Sequence, residues 1–77
     1  MLFRSALAER PTALRRRLLR RLALEAGAPA SELFHDHVVA LEQLVLAWRG
    51  QRWIDLPGHR RGVRDDGVLR VVPAPTD

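Results

Sequence analysis

Arg16, Arg17, Arg20 and Arg21 lie within a helix-forming stretch, Pro11 to Ala26, whose only carboxylate is Glu25. At helical spacing, Leu14, Leu18, Leu19 and Leu22 gather on one side and the four arginines on the other. Like charges one turn apart repel by roughly a few tenths of a kcal/mol per pair. A polyanion laid across that face turns the repulsion into attraction. RNA fits, because a guanidinium grips phosphate through two parallel hydrogen bonds and stacks on bases. A second basic group, Arg60, Arg61 and Arg64, follows the Pro57-Gly58 turn and is assigned to the same contact. The competing reading is a solvated face, or one that docks onto an acidic protein surface. An arginine face of this kind points to solvent, so its removal should hardly change fold stability.

Other reactive side chains carry less. His35 and His37 flank Asp36, but i, i+2 spacing on a helix points ligands apart, so no metal site is expected. One of the two histidines is expected at the surface and the other against the core. Asp65 and Asp66 precede Gly67 and read as turn formers, not as an acid/base pair. There is no cysteine, hence no disulfide, thiolate ligand or cysteine nucleophile. No glycine-rich loop suited to phosphate is present. Catalytic, cofactor and metal residues are therefore all expected to be absent. Arg15 projects to the apolar side, its stem lying along the core edge. Trp53 alternates away from Ile54 and Leu56, so it either stacks a base beside Arg52 or closes a seam with another domain; the seam is favoured.

The chain has 77 residues, enough for one small domain. Its net charge is +4 and all thirteen basic residues are arginine. A lysine-free, alanine-rich composition is what GC-rich coding yields, so the one-sided clustering says more than the arginine count. A hydrophobic fraction of 47% suits a globular domain. No apolar run approaches the roughly 20 residues that cross a bilayer, and no signal-peptide core is seen; no membrane role and a cytoplasmic location are expected.

The elements that must position these residues are as follows. Residues 1–9 read as a helical segment, the end of a longer linker helix. The basic helix follows, with Pro11 in its first turn and Gly27 as its left-handed stop. A second helix runs from His35 to Arg49, burying Phe34, His37, Val38, Leu41, Leu44, Val45 and Trp48, with Glu42 at the stripe's border or outside it. Strands then follow at 51–56, 60–64 and 68–72, the last two joined by Asp66-Gly67, a favoured two-residue hairpin turn. The fold class is α+β: two packed helices, preceded by the short helical segment and followed by a small antiparallel β-meander. The core is expected to join Leu14, Leu18, Leu22, Val38, Leu41, Val45 and Trp48, capped by Ile54, Leu56, Leu69 and Val71. The domain spans 10–72, and 73–77 form a disordered tail. The Gly27–Ala30 connection resembles a helix-turn-helix corner, but the helix after it is a poor groove reader.

Three strings in order carry a family resemblance: residues 13–29; His37-Val38 with Leu41, Leu44 and Trp48; and Trp53-Ile-Asp-Leu-Pro-Gly58 with Arg64, Gly67 and Leu69. Over residues 10–72 the chain resembles the substrate-binding domain that follows the catalytic domain in bacterial tRNA(Ile)-lysidine synthetases. It departs from that pattern in two places. Phe34 and His35 stand where a Ser or Thr cap is usual, and His59 stands where a small residue is usual.

The resemblance implies a role in tRNA modification. Those enzymes attach lysine to the wobble cytidine of an isoleucine tRNA, consuming ATP at a Ser-Gly-Gly-x-Asp-Ser loop in their catalytic domain. That loop is not in this sequence, and Met1 falls where the family is in mid-chain, so the chain reads as a piece of such a ligase. The implied partners are tRNA and the catalytic domain of the same enzyme. The implied work is tRNA positioning, with ATP used by the parent enzyme and no cofactor held here. The alternative is an interaction module that docks its basic helix onto a protein.

Overall fold

The computed structural model describes residues 2–47 and 49–75. Three helices, α1 (Arg4–Ala8), α2 (Thr12–Glu25) and α3 (His35–Leu46), pack on one antiparallel sheet of four strands. The strands are β1 (Leu2–Phe3), β2 (Trp53–Leu56), β3 (Arg60–Asp65) and β4 (Val68–Pro73), in the spatial order β1-β4-β3-β2. The α+β class and the β2-β3-β4 meander are as the sequence indicates.

Local chemistry accounts for the joints. Gly27 takes φ +106° after α2, where the Ala28 N–H donates to Ala23 C=O and the Gly27 N–H to Leu24 C=O. This double closure satisfies two helix carbonyls, and Ala28 is buried behind it. Asp66 and Gly67, both left-handed, form the two-residue link from β3 to β4. The inner face of the sheet carries Leu2, Ile54, Leu56, Gly62, Leu69 and Val71. Gly62 is there for close approach: a Cβ on it would lie 2.6 Å from Leu41 Cδ2.

The core comprises Leu7, Leu19, Ala23, Ala28, Leu33, Val38, Leu41, Leu44, Val45, Leu56 and Leu69. Leu18, Leu22, Ile54 and Val71 pack against it half-buried. Three expectations are corrected here. Leu14, expected in the core, is 36% exposed, while Leu19 of the same apolar side is fully buried, because α2 is turned by about a quarter turn relative to its Leu14-Leu18-Leu22 stripe. Phe34 is 63% exposed, since it ends the chain's extended approach to α3 and is not part of that helix. Glu42 is buried, because two arginines of α2 reach it. Trp48 lies outside the described residues.

At the ends, Leu2 and Phe3 are a strand and not helix: they pair with Leu69 and Val68, and the Arg4 N–H donates to Gly67 C=O. Pro73 still pairs with Arg60, and the Ala74 N–H donates to His59 C=O, so the chain is held through residue 74. Residues 76–77 lie outside the described part. α3 stops at Leu46, three residues before the expected end.

Candidate RNA-binding groove

α2 presents its arginines to three different surroundings. Arg15 is spent on structure. Its Nε donates to Glu42 Oε2 at 2.7 Å, its Nη1 to Arg10 C=O at 3.1 Å and its Nη2 to Thr12 Oγ1 at 3.3 Å. Arg16 lays one edge on the same carboxylate, with Nε and Nη2 at 3.2 and 3.1 Å from Oε1. Burial alone would raise the Glu42 pKa. The hydrogen bonds from Arg16 and Arg15, and their charges, outweigh it and hold the carboxyl below its usual range.

Arg20 donates from Nη1 to Leu33 C=O at 2.8 Å, tying α2 to the segment that leads into α3. Arg17 and Arg21 are exposed, and Arg21 makes a surface pair with Glu25 one turn away at 2.9 Å. Arg16 and Arg20 therefore sit at the border of the buried face, not opposite it. The physical reason is the long-range carboxylate of Glu42, which draws the Arg15–Arg16 side inward.

Arg16, Arg17 and Arg20 come together in a groove of about 360 Å³ between α2 and the start of α3, with Ala13, His35 and Val38 completing its walls. Three arginine side chains line it: Arg16 rests one edge on Glu42, which it shares with Arg15, Arg20 gives one N–H to Leu33 C=O, and Arg17 is exposed. Such a groove can take phosphate by charge-assisted hydrogen bonds. His35 is exposed at its wall, while His37 is half-buried and accepts the Phe34 N–H at Nδ1, 2.9 Å away. Among the described residues no group of three or more His, Asp or Glu could hold a metal ion.

The arginines of β3 do not join this groove as one patch, because the pleat sends neighbours to opposite faces. Arg60 lies on the helix side, its guanidinium 2.7 Å from where a Cβ on Gly27 would be. Arg61 lies on the outer face, 4.5 Å above the Trp53 ring and 3.8 Å from Asp55. Arg64 returns to the inner face, where its Nη1 donates to Leu44 C=O at 3.4 Å. With Arg52, Asp65, Asp66 and Gly67 it lines a separate hollow of about 470 Å³ at the hairpin end. Trp53 is half-exposed, as its alternation indicates. The role of Glu42 was not legible in the sequence, since nothing in a helix pattern marks a contact across 27 residues.

A family model described as "TilS substrate binding domain" matches residues 2–70. The chain is 57% identical over 67 residues to a tRNA(Ile)-lysidine synthase of Thermobifida fusca (strain YX), covering 87% of this chain and 21% of that protein. It is 51% identical over 61 residues to a tRNA(Ile)-lysidine synthase of Streptomyces coelicolor, covering 79% of this chain and 17% of that protein. A tRNA(Ile)-lysidine synthase of Salinispora arenicola is 50% identical over 64 residues, covering 82% of this chain and 19% of that protein. The chain thus spans about a fifth of the length of these relatives. No solved structure matches.

Proposed function

We propose that this chain, which belongs to the TilS substrate-binding domain family, works as a tRNA-holding part of a tRNA(Ile)-lysidine synthase, gripping the phosphate backbone along α2. The observation that carries the reading is that Arg16, Arg17 and Arg20 line one open groove. Arg21 extends the line of positive charge one turn further along the same helix. Phosphate contacts fix register and orientation and carry no base information. The domain would hold the body of an isoleucine tRNA while a catalytic domain elsewhere in the enzyme reads the anticodon. That domain would attach lysine to the wobble cytidine at the expense of ATP, in the cytoplasm. Arg60, Arg61 and Arg64 are secondary contacts in this reading, reached only where the RNA passes the sheet.

The test is tRNA binding across a salt series. A phosphate-gripping groove loses affinity steeply as salt rises, with a slope that counts the contacts. Binding that is absent or indifferent to salt would replace this reading with docking of the basic helix onto a protein. The chain is also expected to show no lysine-dependent ATP turnover by itself, measured against a blank preparation.

A further inference from the structure

Phe34 does two things that its neighbours do not. It leaves a large aromatic ring 63% exposed, and it occupies the position just before α3, where a Ser or Asp side chain would cap a free amide and Phe cannot. The backbone that carries the ring is nonetheless fixed in place. The Phe34 N–H donates to His37 Nδ1 at 2.9 Å, and its C=O accepts from the His37 and Val38 N–H groups at 3.0 and 3.4 Å. Its ring lies nearly parallel to the His37 imidazole, at 20° with centroids 6.0 Å apart.

The chain on both sides of Phe34 belongs to the groove. Leu33 C=O is held by Arg20, while His35 and Val38 line the groove wall beside Arg16 and Arg17. An exposed aromatic on a hydrogen-bonded backbone, beside a groove lined by arginines, is the combination by which proteins hold unpaired nucleotides: cations on the backbone and a ring under the base.

We propose that Phe34, backed by His37, is a stacking platform for an unpaired nucleobase whose neighbouring phosphates lie on the α2 arginines. This rests on the RNA reading of the groove and deepens it. Bases inside a duplex are already stacked on each other, so the platform selects looped or single-stranded nucleotides over paired ones. Arg20 acts here as a positioning residue, because its bond to Leu33 C=O sets where the ring stands relative to the groove.

The experiment compares binding of a single-stranded oligouridine, an unmodified tRNA transcript and a fully paired RNA duplex, by fluorescence anisotropy at several salt concentrations. The proteins are the wild-type chain and its Phe34→Ala, Phe34→Tyr and Arg17→Ala variants, each checked for folding by circular dichroism. Phe34→Ala is expected to weaken oligouridine and tRNA binding about tenfold, to leave the salt slope unchanged and to leave duplex binding unchanged. Phe34→Tyr should bind like wild type. Arg17→Ala should weaken all three RNAs and lower the slope.

Equal loss on duplex and single strand for Phe34→Ala would mean that Phe34 acts through the fold, and would overturn the proposal. Unchanged oligouridine binding by Phe34→Ala, with Arg17→Ala still weakened, would overturn the platform and leave the groove standing. Salt-insensitive or absent binding by the wild type would overturn both.

Discussion

On one side of α2, Arg15 and Arg16 share a buried carboxylate; on the other, Arg17 and Arg21 stand in solvent. The residue type and the helix are the same, yet the two sides do different work. A guanidinium whose donors are committed to Glu42, Arg10 C=O and Thr12 Oγ1 is a bolt between α2 and α3. A guanidinium that stands in solvent, with at most a surface pair, is available to a ligand. Arg16 belongs to both sides, with one edge on Glu42 and the rest facing the groove. Charge clustering alone therefore does not define a binding surface; the partner of each charge does.

The helix that supplies the paired side's carboxylate is broken most severely at its core. Leu41, beside Glu42 on α3, is fully buried and faces the sheet at Gly62. Leu41→Ala is expected to cost about 2–5 kcal/mol, which a thermal melt would show as near-complete loss of folding in so small a domain.

Glu42→Ala comes next. It leaves Arg15 and Arg16 side by side without their acceptor and should cost roughly 1.5–3 kcal/mol in urea unfolding. The same carboxylate gives the pair its pH dependence. Its folded-state pKa lies below the unfolded one, so its stabilisation is complete above the unfolded value and fades as pH falls through the folded value. Wild type should lose stability relative to Glu42→Gln as pH falls below about 4.5, and the two curves should run parallel well above it.

The exposed side is expected to respond least. Arg17→Ala and Arg21→Ala should each change stability by less than about 0.5 kcal/mol, Arg21 losing only its surface pair with Glu25. A larger loss in the melt would mean that these side chains also brace the fold.

The same comparison explains what the sequence made visible. Gly27 after α2 and Asp66-Gly67 before β4 are local signals, and both do in the structure what their types require. The stripe of α3 was legible because Val38, Leu41, Leu44 and Val45 repeat on one face and are buried there. α2 was not so clear. Its leucines form overlapping stripes, and the side that is buried, with Leu19 and Ala23 in place of Leu14, is the one whose Arg15 meets Glu42 far along the chain. β1 was hidden for a similar reason: Leu2 and Phe3 are strand only because β4 offers them an edge. Of the arginines named from spacing, Arg16, Arg17 and Arg20 share the groove, whereas the β3 set is divided by the pleat. Phe34 followed the α3 periodicity on paper, but it precedes the helix and faces out.

The central claim, that the solvent-facing side of α2 holds RNA, is tested most directly by the salt slope of tRNA binding for wild type and the Arg17→Ala/Arg21→Ala double variant. Two lost phosphate contacts should lower the slope of log affinity against log salt by about two units, with the melting curve almost unchanged. A double variant that binds tRNA with wild-type affinity and wild-type slope would contradict the claim.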